Sequence, residues 1–516
     1  MAGAPRVSGA ADQPAPGLGT AAKPVAAAQE PGIEPDVLDT SAAGGMLVRG
    51  GVLRLGSYVG VVALSVLSAA LLTRHLGVGR FGQYTVVMSL VGVVSSVTDA
   101  GMSMLGTREY AVLHGAERDE LMRDLLGLRV ALTLLGVLLA TLFALAAGYD
   151  RAIVIGTVLA ALSVVALVYQ HTLSIPLSTA LRLGTLSLLD LARQAVTVVL
   201  IVALVLAGAG VLPFLVVALA VNIALIAPTG RLARGAISTR MGVRPRAWRA
   251  LLRLTVSFSL ASAVGTIYVF TAQILTSLVV SGYQNGLFAA SFRIFIVIAA
   301  VPGLLAGSAL PVLARAARDD RARLAYALQR MFQVSLIVGV AGALGALAGA
   351  GFMIAVVAGA KYSGAVAVLQ IQGLALLASF LLAPWGYVLL SLRRHRGLLL
   401  ANASALIVSA TLTLLLAHAH GAKGAAIATV CGESTLAIGY LLALVHAGRE
   451  YRPPLAPIGK VAVAGLPATA LALVPGIPSL PRTVAVLALY GLLIAAVRAL
   501  PGELLELLPE RLRRAR

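Results

Sequence analysis

Charge and cysteine are what this sequence has least of. Of its 516 residues only 12% are charged and a single one, Cys431, is a cysteine. One thiol excludes an internal disulfide framework, and Cys431, set in an apolar run, reads as a small packing residue. Aromatic residues make up 5%, and 20 acidic residues face 40 Lys and Arg, for a formal charge of +20. That excess does not point to nucleic acid. A nucleic-acid surface gathers its cations on one polar domain with stacking aromatics, whereas these arginines sit in short gaps between apolar segments. The sequence also lacks a Walker loop, a nucleophile elbow and paired metal-ligand spacing. His418 and His420, two apart, read as a solvated loop pair rather than as ligands. No catalytic residue, metal or cofactor is therefore expected, and the chain does not read as an enzyme. No gap between apolar segments is long enough for an extramembrane domain, which argues against a membrane glycosyltransferase or ligase, whose chemistry would sit in a sizeable outer loop.

What the sequence has in abundance is hydrocarbon. Hydrophobic residues account for 59% and the mean hydropathy is +0.95, far above that of soluble domains. Apolar runs long enough to cross a bilayer recur about fourteen times. They lie near Val52 to Leu72, Tyr84 to Leu105, Leu125 to Gly148, Ala152 to Leu173, Leu186 to Ala207 and Leu212 to Leu232. The later ones lie near Leu251 to Val279, Leu287 to Leu310, Val334 to Val357, Ala365 to Leu390, Leu398 to Ala417, Gly424 to Val445, Ile458 to Val474 and Val484 to Ala499. The chain is thus expected to be an all-α polytopic membrane protein.

The gaps orient it. Arginines crowd into every second gap: Arg231 to Arg249 after the sixth span, Arg315 to Arg323 after the eighth, Arg393 to Arg396 after the tenth, Arg449 and Arg452 after the twelfth. The end of the chain adds Arg511, Arg513, Arg514 and Arg516, while the opposite gaps hold only scattered cations such as Arg74, Arg80 and Lys361. Positive charge stays in the cytoplasm, so both termini are expected inside the cell and the protein in the inner (cytoplasmic) membrane, with anionic headgroups against the basic loops. Residues 1–45, rich in Ala, Pro and Gly with scattered acids, read as a disordered cytoplasmic tail and not as a signal peptide.

A short pattern occurs twice. Gly82-Gln83-Tyr84 opens the second span and Gly286-Leu287-Phe288 the eighth, while Pro176 and Pro384 each precede a basic hinge. Both offsets are about two hundred residues, which suggests two six-helix bundles in tandem, repeated about an axis along the membrane normal. The expected divisions are 46–232 (spans one to six), a basic cytoplasmic linker over 233–250, 251–447 (spans seven to twelve), 448–500 (spans thirteen and fourteen) and a basic tail over 501–516.

Several stretches resemble a known family. His75 to Tyr84 (HLGVGRFGQY), Asp99-Ala100-Gly101 and Thr107 to Ala111, then Tyr283 to Arg293, Gly359 to Tyr362 and Gly421 to Thr429, are similar in order and spacing to polysaccharide flippases of the oligosaccharidyl-lipid branch of the MOP superfamily. The resemblance implies a MOP/MATE-like fold: two six-helix lobes about a cavity that opens alternately to each side, plus two C-terminal helices. It implies a cargo too, an undecaprenyl-diphosphate-linked oligosaccharide moved from inner to outer leaflet for exopolysaccharide or another envelope glycan, with a glycan polymerase or glycosyltransferases as partners. Such a head group is large, polar and anionic, and hydrocarbon bars it unaided. Three alternatives stand beside this reading: a peptidoglycan-precursor (lipid II) flippase, a MATE-like drug or metabolite exporter, and a non-transporting scaffold for glycan enzymes.

Charges inside spans are the site candidates, being costly unless they face a cavity or a partner. Arg293, in the body of the eighth span, is placed to meet a diphosphate through guanidinium geometry; a snorkelling side chain or internal ion pair is the alternative. Arg54 and Arg129, about a turn inside their spans, would receive the head group at the inward mouth or simply anchor to lipid headgroups. Glu433, with no basic residue nearby in sequence, is the candidate for coupling to protons or sodium, followed by Asp99 and Asp190. Asp190 and Arg193, three apart, can equally neutralise each other. Asn222, Gln273 and Gln333 read as interhelical glue. Gln273 departs from the family pattern, in which many relatives carry a charge. The glycines from Gly339 to Gly351, with Gly345 and Gly349 four apart, permit close helix contact.

Overall fold

The computed structural model describes residues 41–99, 101–180, 182–233 and 241–500, with side chains at all of these except 41–55, 183, 254–262, 304, 305, 308 and 311. Residues 1–51 and 52–516 form separate units. Of the first, residues 41–51 are described and are helical; everything below concerns the second.

With so few charges and so many apolar runs, the backbone satisfies its own polar groups, and the only secondary structure among the described residues is helix. The first half comprises α1 (Ser41–Asp99), α2 (Met102–Val112), α3 (Gly115–Ala146), α4 (Arg151–Leu173), α5 (Ile175–Thr179), α6 (Leu183–Leu206) and α7 (Val211–Leu232). The second comprises α8 (Pro245–Val279), α9 (Gly282–Ala299), α10 (Val301–Asp319), α11 (Arg321–Val357), α12 (Ala365–Ser391) and α13 (His395–Ala447), followed by α14 (Leu455–Ala472) and α15 (Ser479–Ala496).

Eleven helices among the described residues are long and apolar enough to cross a membrane. The two longest, α1 and α13, are each broken by one glycine: Gly77 at φ 71° and Gly421 at φ 58°. Both angles lie where a Cβ is disfavoured, so the chain turns there without an intervening loop. The expected eighth span divides at Ala300 into α9 and α10, where Pro302 in the first turn of α10 has no N–H to donate. Large apolar side chains such as Leu135, Leu138, Leu142 and Leu145 of α3 face outward, as suits a protein whose solvent is lipid.

In the first half α4 packs on α3 and α7; in the second, α11, α12, α13 and α8 form a continuous series. The terminal pair α14 and α15 leans on α11, where the Tyr490 hydroxyl donates to the Ile337 carbonyl (3.0 Å) and Arg482 to that of Ala348 (3.1 Å). Small residues allow the close approaches. A Cβ on Gly373 of α12 would lie 2.5 Å from that of Ala346, and one on Gly349 would lie 2.8 Å from the Thr483 hydroxyl of α15. Gly345 has open space beside it, so of the two glycines four apart only Gly349 makes a close contact.

The halves meet along two seams. At the Gly77 end, the Thr73 hydroxyl donates to the Val357 carbonyl (2.8 Å), Arg74 to that of Val356 (2.6 Å), and the Tyr362 hydroxyl to that of Thr73 (3.1 Å). There the two copies of the Gly-x-aromatic pattern face each other. A Cβ on Gly82 would lie 3.0 Å from the Gly286 nitrogen, and one on Gly286 would lie 2.0 Å from the Val78 carbonyl oxygen. At the other end, Arg244, one residue before α8, donates to both oxygens of buried Asp124 (3.0 and 2.6 Å) and to Glu120 (2.9 Å) on α3. These hydrogen bonds hold the Arg244 guanidinium still more firmly protonated than usual. The Gly242 N–H donates to the Arg123 carbonyl beside it (2.9 Å).

Because backbone, not a flexible side chain, opposes a Cβ at Gly286, Gly286→Ala is expected to lower stability by about 1–3 kcal/mol. The readout is a lower midpoint in thermal unfolding of the detergent-solubilised protein. Gly345→Ala, with open space to fill, should leave that midpoint in place.

Candidate functional site

A cavity of about 500 Å³ lies between the halves. Helices α1, α4, α6 and α7 supply one wall, and α8 and α9 the other. Two guanidinium groups line it, Arg193 from α6 and Arg293 from α9. Arg293 is exposed to the cavity and donates to the Ser65 hydroxyl of α1 across it (2.8 Å). The rest of the lining mixes polar groups, among them Ser68, Tyr84, Gln194 and Asn222, with apolar ones such as Phe270 and Phe292. Such a surface can take an anion at the arginines and hydroxyl groups at the amides and serines.

A smaller cavity of about 290 Å³ shares Ser95 and Leu167 with the central one and ends at Asp99 and Arg129. Arg129 is completely buried and Asp99 about half exposed, with 2.6 Å between guanidinium and carboxylate. Ser103 donates to the same carboxylate, and Arg129 also reaches the Thr172 hydroxyl (3.2 Å). Arg129 and Asp99, expected as separate sites for head group and ion, are thus partners of each other. Asp190 likewise meets Arg193 at 3.9 Å, and Arg193 also donates to Gln170. Arg54 belongs to α1, but its side chain lies outside the described ones.

Glu433 lines a different cavity, about 520 Å³, inside the second half among α8, α9, α12 and α13. It accepts from the Tyr268 hydroxyl (3.0 Å) and the Ser379 hydroxyl (2.6 Å). Among the described residues it has no ion pair, unlike Asp99 and Asp190. Phe292 and Ile296 of α9 line both large cavities, so α9 is the partition between them.

The interhelical amides hold as glue: Asn222 donates to the Ser163 carbonyl (3.1 Å), Gln333 to that of Ala499 (2.6 Å), and Gln273 to Asn285 (2.7 Å). Two residues of the region escaped sequence reasoning. Arg193 was read only as the partner of Asp190, although it also faces the cavity. His171, which lines the small cavity beside Asp99 and another with Arg193, carries no local signal, since its neighbours come from other helices. Among the described residues no cluster of three His, Cys, Asp or Glu could hold a metal ion.

Removing one member of a buried pair leaves the other charge uncompensated. Asp99→Asn should therefore destabilise the protein by roughly 2 kcal/mol, less than the ~3–5 kcal/mol of a fully buried pair because Asp99 is half exposed. The double variant Asp99→Asn with Arg129→Met should recover most of that loss. Thermal or denaturant unfolding of the four proteins of the cycle measures the coupling.

Residues 71–367 match the model of a family described as polysaccharide biosynthesis protein. Among curated proteins none matches the sequence. Of solved structures, the lipid II flippase MurJ in an inward closed conformation superposes with a TM-score of 0.73 at 13% identity, over 86% of this chain and 98% of that one. An inward-facing MATE-family multidrug resistance transporter of the MOP superfamily gives 0.58 at 14% identity, over 77% and 98%, and an outward-facing one gives 0.52 at 14% identity, over 79% and 96%. Identities this low establish the fold alone. A match covering more than half of the residues makes the chain a member of the polysaccharide biosynthesis protein family, and its multi-pass helical fold is that of MurJ and the MATE-family structures.

Proposed function

We propose that this protein carries an undecaprenyl-diphosphate-linked oligosaccharide from the inner to the outer leaflet of the cytoplasmic membrane by alternating access, for exopolysaccharide or another envelope glycan. The observation that carries the reading is the pair Arg193 and Arg293, one from each half, on a single cavity. Intramembrane cations are retained where they face a partner or a substrate, and a diphosphate offers each guanidinium a bidentate acceptor. The amides and hydroxyls around them suit sugar hydroxyls. No covalent step is needed, because the work is to replace the water around a polar head while it crosses hydrocarbon.

Treating Gly77 and Gly421 as turns, and Ala263–Val279 as a shorter span, brings the eleven membrane helices to about fourteen. With the arginine bias this supports both termini in the cytoplasm, the Gly77 seam outside and the Arg244 seam inside. The two lobes are then residues 46–232 and 251–447. Glu433 is the proposed coupling site for a proton or sodium ion, since its two partners are neutral hydroxyls while Asp99 and Asp190 are engaged by arginines. A peptidoglycan precursor is the second reading, favoured by the likeness of the fold to that of the lipid II flippase; it has the same diphosphate chemistry.

Depletion of the protein in its host should trap intact lipid-linked glycan in the inner leaflet, measured with an impermeant label, and the trapped sugar separates the two cargoes. Unchanged leaflet distribution while the glycan is being made would overturn the reading in favour of an exporter or scaffold. Arg293→Glu should reduce export at least about tenfold and Arg293→Lys less, because a point charge keeps attraction but not the bidentate fit. Glu433→Gln should remove the dependence of transport on the driving ion, read as equal rates with and without an imposed gradient.

A further inference from the structure

Gln273, a buried amide on α8, joins two features of the molecule. Its side chain lines the central cavity between the halves. It also donates through Nε2 to Asn285 Oδ1 (2.7 Å), and Asn285 in turn donates through Nδ2 to the Gly82 carbonyl (3.2 Å). Both amides are buried, at 2% and 4% exposure. This chain of two amides therefore runs from the cavity wall on α8, through the first turn of α9, to α1 just past its break at Gly77. It ends where Gly82 and Gly286 bring the two halves together.

We propose that Gln273 and Asn285 form a cargo-sensitive latch on the Gly77 seam: a head group that takes the Gln273 amide as its own partner withdraws the donor that orients Asn285, and the Gly82 carbonyl is released. The energetics suit a latch. An amide pair between helices in a membrane contributes on the order of 1 kcal/mol, enough to bias a two-state seam and small enough for cargo contacts to outweigh. A charge at position 273 would bind an anionic cargo more tightly or repel it, and would cost far more to bury. A neutral amide exchanges one hydrogen-bond partner for another without a change of charge. The hydrogen-bonding side chains of Thr73, Arg74 and Tyr362, which also hold the seam, lie outside the cavity lining. The proposal rests on the flippase reading for the identity of the cargo, but not for the closing role of the two amides.

The test places spin labels at Gly79→Cys and Tyr283→Cys, both exposed and on opposite sides of the seam, in the full chain with Cys431→Ser, and reads the distance distribution in lipid nanodiscs. Without ligand, Gln273→Leu and the near-isosteric Asn285→Leu are each expected to raise the long-distance population about threefold over the parent. Asn285→Leu keeps the side-chain volume but neither accepts from Gln273 nor donates to the Gly82 carbonyl, so it opens the seam without emptying the core. An unchanged distribution in both variants overturns the latch. Undecaprenyl diphosphate is then added. The parent should shift toward the long distance, Thr73→Val should start more open and still shift, and Gln273→Leu should not shift further. Binding of the lipid to the parent with no change at the seam overturns the sensing role. Absence of binding, by fluorescence titration, overturns the diphosphate cargo and the sensing with it, whereas the closing role is still decided by the ligand-free variants.

Discussion

Hydrocarbon offers no partner to a polar group, and the placement of nearly every polar side chain in this protein follows from that constraint. Threonine and serine hydroxyls return to the carbonyl one turn back along their own helices, as at Thr98, Thr133 and Thr157. Others bond across helices and thereby mark which helices are neighbours. Arg129 ties α3 to the end of α1 and to α4; Gln170 ties α4 to α6 and α7. These few polar groups, together with the close contacts at small residues such as Gly349 and Gly373, mark the helix pairs that lie in contact.

The same constraint separates the two ends of the molecule. At the Gly77 seam backbone carbonyls accept from hydroxyls, an amide and the Arg74 guanidinium, across helices that Gly82 and Gly286, having no Cβ, allow to approach. At the other seam the contact is ionic: Arg244 against Asp124 and Glu120. Half of the Arg244 side chain is exposed, so water and salt weaken this bridge, while Thr73, Tyr362 and Asn285 at the Gly77 seam are buried. In the proposed transport cycle, these two contacts of different chemistry are the ones that would open alternately.

Much of the helical layout was legible in the sequence, because a membrane span is specified by length and hydropathy alone. The bounds read for α4, α7 and α12 fall within a residue of those observed at each end. What could not be read was pairing. Arg129 and Asp99 stand 30 residues apart, and nothing local to either shows that one charge will lie against the other. The breaks at Gly77 and Gly421 were marked as gaps between spans, but not as turns made by one residue, since a positive φ leaves no trace beyond the glycine itself. The repeated Gly-x-aromatic pattern was visible as an echo; that its two copies touch is a fact of the tertiary arrangement. His171 was invisible because its surroundings come from helices far away in sequence.

The partition formed by α9 draws these features together. One face of this helix presents Arg293 to the cavity between the halves, and its neighbouring positions Phe292 and Ile296 are shared with the cavity around Glu433. Its first turn carries Asn285 and Gly286 into the Gly77 seam, and its far end passes into α10 at Pro302. A rigid helix 18 residues long cannot change its contact at one of these places without shifting at the others, since close-packed interiors transmit displacement instead of absorbing it. A cationic site, an acidic site and a seam are thus attached to a single element. For the proposed flippase, coupling between cargo, ion and gate would then require no chain of intermediates, only that α9 have two positions and that each partner prefer one of them.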